Sequence, residues 1–307
     1  MPTSIHLKGG LGNQLFQLFT AIAYACKNKH KIALLNAKTL GGEAGNTATI
    51  RPTYWDTLFK SLQPFLINDY TQIQCAGSIQ YNESAFTYSE IAPYNPNYLV
   101  LLSGYFQSPQ YFNSHASTII RMLNLKAQQD AACAKLSITD WSNTVALHIR
   151  LGDYKKYPNY HPIMPVTYYV NALRDILQNT MRARAQARTQ TIPFRVFCFC
   201  DTTDPADAKT LQDICFHLRE TFFETDFIFE PVDGALSDWE QLLFMSTCMH
   251  HIIANSSFSW WGAYLSQTLA TSSSKGVICY PAVWFGRDAK HDTRDLCPST
   301  WHRILTT

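Results

Sequence analysis

A chain of 307 residues with 46% hydrophobic content is long enough for two domains of ordinary size or one large α/β domain, and that content excludes a disordered chain. A formal charge of +2 is too small for the basic stripe of a nucleic-acid binder, so no nucleic-acid partner is expected. No apolar stretch reaches the ~20 residues that a membrane-spanning helix needs.

Residues 2–7 are strand-like rather than the charged start of a signal peptide. The nine cysteines are odd in number and scattered, and Cys198, Cys200 and Cys279 lie in apolar runs. Reduced, buried thiols are expected, hence a cytoplasmic protein with at most peripheral membrane association, at the inner face.

Along the chain, short apolar strands alternate with helices. A first strand closes at Ile5 to Leu7, and a glycine-rich turn follows. From Gln14 to about Lys29 the apolar positions Leu15, Leu18, Phe19, Ile22, Ala23 and Cys26 have helical spacing. Lys31 to Leu35 reads as the next strand. Residues 40–53 are rich in Gly, Thr and Asn and read as a loop able to reach an acceptor. Residues 54–98 are aromatic and irregular, with turns near Pro93 and Pro96; Leu99 to Gly104 is a strand, and 108–140 a helical region with the apolar line Ile119, Ile120, Leu123. From residue 142 the pattern is regular: strands 145–150, 194–200, 226–232, 251–254 and 276–280 are separated by helices 166–188, 205–220, 237–249 and 259–269. Arg182, Arg184 and Arg188 read as a solvated face at a helix carboxyl end. Such alternation implies a parallel sheet flanked by helices. The expected domains are 1–140 and 141–307, with Trp301 to Leu305 crossing back to the first.

Three strand ends carry polar motifs. In Val145-Ala-Leu-His148-Ile-Arg150-Leu-Gly152-Asp153-Tyr154 an apolar strand stops at a histidine, an arginine, a glycine and an aspartate. Ligands of open α/β sheets bind beyond the carboxyl ends of the strands. Arg150 is the fixed cation there, and its planar fork suits a phosphate or carboxylate. Asp153 reads either as its structural partner or as a general base. The other two motifs are Ile5-His-Leu-Lys-Gly9-Gly10-Leu-Gly12-Asn13-Gln14-Leu-Phe16-Gln17 and His251-Ile-Ile-Ala-Asn255-Ser256-Ser257-Phe258-Ser259-Trp260-Trp261-Gly262-Ala-Tyr264. Backbone amides at Gly12-Asn13 and Ser256-Ser257 suit an anion, because both turns open helices. Phe258 suits a base ring, while Trp260, Trp261 and Tyr264 read as core.

Two cofactor classes are disfavoured. Gly10-Leu-Gly12-Asn-Gln-Leu15 lacks the third glycine of a dinucleotide fingerprint, and strand 31–35 ends in Asn36 where an acidic ribose ligand would stand. No Asp-x-Asp pair occurs; the nearest approach is Asp238-Trp239-Glu240. Cys248, His250 and His251 fall across a helix–strand junction, which is poor metal geometry. No cofactor and no metal are expected, so Arg150 is assigned the leaving-group charge.

Together the three motifs resemble the α1,2-fucosyltransferases of glycosyltransferase family 11, whose signatures are Gly-Gly-Leu-Gly-Asn-Gln, His-x-Arg-Arg-Gly-Asp and Asn-Ser-x-Phe-Ser-Trp-Trp. Leu151 stands here at the family's common second arginine. The resemblance implies a two-domain α/β fold of the GT-B type with Rossmann-like parallel sheets. It implies inverting transfer of L-fucose from GDP-fucose to the 2-hydroxyl of a terminal β-galactose on an oligosaccharide or O-antigen-type acceptor. The donor would be held mainly by residues 148–262. By the same resemblance Asn13 reaches the diphosphate, His148 contacts the nucleotide beside Arg150, and Asp201 accepts from the guanine edge. On the residues alone His148 is equally a core histidine, and Asp204 or Thr203 before Pro205 a helix cap. The start at the glycine motif suggests a bacterial-type enzyme. Rival readings are an O- or α1,6-type fucosyltransferase and a sugar binder without catalysis.

Overall fold

The computed structural model describes residues 2–41, 50–136, 138–187, 193–225, 227–232, 234, 236–270 and 276–306. Contacts divide the chain into two units, Met1–Gln128 with His291–Pro298, and Gln129–Lys290 with Ser299–Thr307. The division thus falls after Gln128, ahead of the expected 140. The segment that returns to the first unit is His291–Pro298, whereas Trp301 and the strand after it belong to the second. Arg188 and most of the loop 40–53 lie outside the described residues.

The first unit opens with β1 (Pro2–Ile5) and α1 (Leu11–Asn28), followed by β2 (Lys31–Ile32), β3 (Leu34–Leu35), β4 (Thr39–Leu40), β5 (Arg51–Pro52), β6 (Leu66–Ile67), β7 (Ser78–Asn82), β8 (Leu99–Ser103) and α2 (Ala116–Met122). Its main sheet has the order β2-β1-β8-β7, and every pairing is parallel. Helix α1 begins three residues before the expected Gln14, because Gly9 turns the chain at φ +80° and Gly10 stands as N-cap. Gly12 and Asn13 therefore sit in its first turn. Leu15, Phe16, Leu18 and Phe19 are fully buried, each stabilising by roughly 1.5–3 kcal/mol. Phe112 closes over Phe16 and Phe19 at ring distances of 6.0 and 5.4 Å. Lys29, in the left-handed region at φ 57°, ends the helix with its N–H on Cys26 and Ala25 carbonyls. The helical region 108–140 is broken: α2 stops before Asn124 at φ 52°, and α3 (Leu125–Cys133) follows.

The second unit holds β9 (Thr144–His148), α4 (Val166–Ala187), β10 (Phe194–Phe199), α5 (Pro205–Thr221), β11 (Phe227–Pro231), α6 (Asp238–Met245), β12 (His250–Ile252), α7 (Ser257–Leu269), β13 (Ile278–Pro281) and β14 (His302–Ile304). They form a parallel sheet in the order β11-β10-β9-β12-β13-β14. Val145 and Leu147 join one core cluster with Tyr168, Tyr169 and Leu173 of α4; Ala146 joins another with Phe244 and Met245 of α6. Both faces of β9 are covered, which explains its unbroken apolar run. Two α/β units with separate parallel sheets are thus present. Among the described residues no helix is long and apolar enough to cross a membrane.

Candidate active site

In the second unit the chain runs from β9 outward to β10 and β11, then returns to the other side of β9 for β12, β13 and β14. Order reverses between β9 and β12, and at such a switch point the loops leaving the strand ends part and open a crevice. The loops meeting there carry His148 to Asp153 and Ala254 to Phe258.

His148 is buried, with Nδ1 2.8 Å from Ser259 Oγ and its ring 5.6 Å from that of Phe258. Burial, then the neighbouring Arg150 cation, brings its pKa down to about 3, so it is neutral at pH 7. Arg150 donates through Nη2 to Asp153 Oδ1, and its guanidinium carbon lies 5.1 Å from the centre of the Tyr154 ring. Gly152, at φ +55°, donates its backbone N–H to Asp207 Oδ2 at 3.0 Å, and Lys155 pairs with the same carboxylate. Asp207 is buried in the first turn of α5. Sequence reasoning missed it because an acidic residue there is equally suited to the helix dipole alone.

Across the switch point Ser256 caps α7, its Oγ accepting from Phe258 N–H at 3.4 Å. Ser257 and Phe258, half-buried, form the first helical turn. Trp260, Trp261 and Tyr264 are core, with Trp260 stacked on Tyr264 at 4.9 Å. Asn255, also missed, is buried and donates to the carbonyls of Pro162 (2.9 Å) and Trp284 (3.0 Å). Asp201 lies exposed just beyond β10, beside β9; its Oδ1 accepts from the backbone N–H and hydroxyl of Thr203 at 3.1 and 2.8 Å. Asp204 is the cap of α5, accepting from Ala206 N–H at 2.9 Å. His148, Arg150, Asp153, Ser256, Ser257 and Phe258 thus gather at the carboxyl ends of the two central strands, with Asp201 just beyond the end of the adjoining β10.

The first unit has its own switch point, between β1 and β8. Asn13 Oδ1 accepts from Gln107 Nε2 at 2.8 Å. Gln17 fastens the turn by accepting from Lys8 N–H (3.0 Å) and donating to the Lys8 and Gly104 carbonyls (both 3.2 Å). Gln14 donates to Gly9 and Pro52 carbonyls at 3.1 and 2.8 Å. Facing them, Phe106 stands at φ +53° while the Glu83 carboxylate accepts from the N–H groups of Tyr105 (2.7 Å) and Phe106 (3.0 Å). Burial raises the Glu83 pKa. Gln107 and Glu83 carried no signal in the sequence beyond polarity.

The residues weighed for a metal serve the fold. His251 donates through Nε2 to the Cys248 carbonyl at 3.0 Å, and His250 Nδ1 accepts from Val277 N–H at 3.0 Å. Glu240 closes a capping box with Ser237 and pairs with Lys135.

The family model for glycosyl transferase family 11 matches residues 3–274. The chain belongs to that family, and it is a glycosyltransferase. It is 25% identical over 316 residues to an alpha-1,2-colitosyltransferase of Escherichia coli, covering 97% of each chain. It is 26% identical over 197 residues to the O-antigen biosynthesis glycosyltransferase WbnK of Escherichia coli, covering 62% of this chain and 56% of that one. Among solved structures, POFUT1 in complex with GDP-fucose aligns at 10% identity and a TM-score of 0.47, over 90% of this chain and 97% of that one.

Proposed function

We propose that the crevice between β9 and β12 binds the nucleotide diphosphate of GDP-fucose, and that the enzyme transfers L-fucose to the 2-hydroxyl of a terminal β-galactose with inversion and without a metal. The observation that carries this reading is Arg150, a partly buried guanidinium at the switch point, beside the amino end of α7 and a neutral histidine. As the bond from fucose C1 to the diphosphate oxygen breaks, negative charge grows on the leaving group. A preset guanidinium and helix-end amides stabilise that charge more than the ground state. His148, uncharged, adds a hydrogen-bonding ring without competing for the anion. Phe258 offers a face to the guanine, and Asp201 accepts from its edge.

The acceptor hydroxyl forms the new bond to C1 and gives up its proton. Asp153 is assigned both duties weighed for it: Oδ1 holds Arg150, and the carboxylate takes that proton. A colitosyl donor, which lacks the 3-hydroxyl of fucose, is the second reading, favoured by the likeness to the colitosyltransferase along 97% of this chain.

The test offers purified protein GDP-fucose or GDP-colitose with galactose-terminated acceptors in excess EDTA, and assigns the product linkage by NMR. A 1,2-linked product with released GDP is expected. Turnover that requires added Mn²⁺ or Mg²⁺ overturns the metal-free mechanism, another linkage overturns the acceptor assignment, and exclusive use of GDP-colitose replaces the donor.

A further inference from the structure

A guanidinium that must meet a diphosphate edge-on needs more than a counter-ion, because a single ion pair leaves its plane free to swing. Arg150 gives Nη2 to Asp153, and its Nε is buried without a hydrogen-bond partner among the described residues. That one donor is therefore out of water and unspent.

The other neighbour of Arg150 is the Tyr154 ring, 5.1 Å from the guanidinium carbon. That ring is itself fixed on two sides. It stacks on His161 at 4.7 Å and 22°, and its hydroxyl donates to the backbone carbonyl of Asn255 at 2.8 Å. Asn255 follows β12, so this hydrogen bond crosses the switch point from one strand-end loop to the other. The same asparagine holds the far end of the Tyr154 loop through Pro162, and a third loop through Trp284. One buried residue thus grips both ends of the segment that follows β9.

We propose that Tyr154 sets the plane of Arg150 and that Asn255 holds Tyr154 in register, making both positioning residues for the leaving-group cation. The inference rests on the reading of Arg150 given above. Neither residue needs to touch the donor; their effect passes through the guanidinium. A ring that served only as packing would alter stability, with no dependence on what stands at position 150.

The test is a double-mutant cycle read by calorimetric binding of GDP, with melting temperatures alongside. Tyr154→Leu removes the ring under the guanidinium and is expected to weaken GDP binding ~10-fold in an otherwise unchanged chain. Tyr154→Phe keeps the ring, loses the tether to Asn255, and is expected to cost about 3-fold. In an Arg150→Ala background neither substitution should weaken GDP further, since their effect needs the guanidinium. Additive losses in that background, or Tyr154→Leu binding GDP as the parent does, overturn the proposal while leaving Arg150 in its role. Unchanged GDP binding by Arg150→Ala alone overturns both. Should Tyr154→Leu fail to fold, Tyr154→Phe in the two backgrounds decides the matter by the same criterion.

Discussion

Two strand-end turns, one in each unit, solve the same structural problem with different chemistry. Both follow a central parallel strand at a switch point and both lead towards a helix. The turn after β1 is fastened by neutral amides: Gln14 and Gln17 satisfy its carbonyls and N–H groups, and Gln107 holds Asn13. The turn after β9 is fastened by ions: Asp153 holds Arg150, and Asp207 holds Gly152 together with Lys155. An amide-fastened turn keeps its shape whatever charge approaches. An ion-fastened turn carries a cation whose partner must share it with an incoming anion. On the function proposed above the leaving-group work falls to the second unit, and substitutions in the two turns should differ accordingly.

The largest effect is expected at Arg150. Arg150→Ala should lower transfer ~10²–10³-fold with the fold intact by circular dichroism, and Arg150→Lys should recover little, since a point charge cannot replace the fork. Near-parental turnover by Arg150→Ala would erase the contrast between the turns and move the leaving-group role to Lys8 or to helix amides. Asp153→Asn comes next. On the proposed mechanism it removes a base and weakens an ion pair, so transfer should fall ~10²-fold or more. GDP affinity should fall by much less. Equal losses in the two measurements would reduce Asp153 to the partner of Arg150.

Backbone strain separates the turns more finely. A Cβ at Gly9 would meet Asn13 Nδ2 at 2.4 Å and Cβ at 3.2 Å, on a backbone at φ +80°. At Gly152 the φ is +55° and nothing lies within 4 Å. Gly9→Ala should therefore destabilise by more than the ~1–2 kcal/mol of a left-handed alanine, Gly152→Ala by about that amount, and Gly10→Ala, with open space and negative φ, by less. Thermal melts of the three variants check the order, and a Gly9→Ala protein as stable as Gly10→Ala would contradict the amide-locked geometry.

What the sequence discloses follows from the range of the interaction concerned. The strand–turn–helix units around β9 and β12 are local, built from apolar runs ending in turn residues, and they stand where those runs predict. Helix α5 lies within a residue of its expected span because Asp204 and Pro205 mark its start. Strand β7 was hidden because Ser78, Gln80 and Asn82 face solvent at a sheet edge and leave no apolar pattern. The break at Asn124 was hidden because the apolar line continues across it. At the site, Arg150, Asp153 and His148 were legible from one decapeptide. The groups that fasten them were not: Asp207 lies 55 residues from Gly152, and Asn255 lies 101 residues from Tyr154. No local spacing records such a pairing; only the sheet order brings it about.

The smallest expected effect is on stability, and it sharpens the comparison through pH. His148 and His251 of the second unit are both buried, and burial, the leading cause in each, lowers both pKa values to about 3. In the unfolded chain each titrates near 6.5. Between pH 6.5 and about 3 the unfolded state takes up protons that the folded state refuses, so stability is full above 6.5 and declines as pH falls through that window. The slope approaches about 1.4 kcal/mol per pH unit for each histidine. His251→Gln should remove one histidine's share of that slope, seen as a flatter fall of melting temperature between pH 6 and pH 4.5. The amide lock of the first unit behaves otherwise. Gln17→Leu leaves the Lys8 N–H and the Lys8 and Gly104 carbonyls without their partner, at a cost of ~1–3 kcal/mol that does not vary with pH, because an amide does not titrate. Parallel melting curves against pH for the parent and Gln17→Leu, with a converging pair for the parent and His251→Gln, are the expected result. A pH-dependent gap for Gln17→Leu would mean that the glycine turn of the first unit is coupled to a titrating group as well.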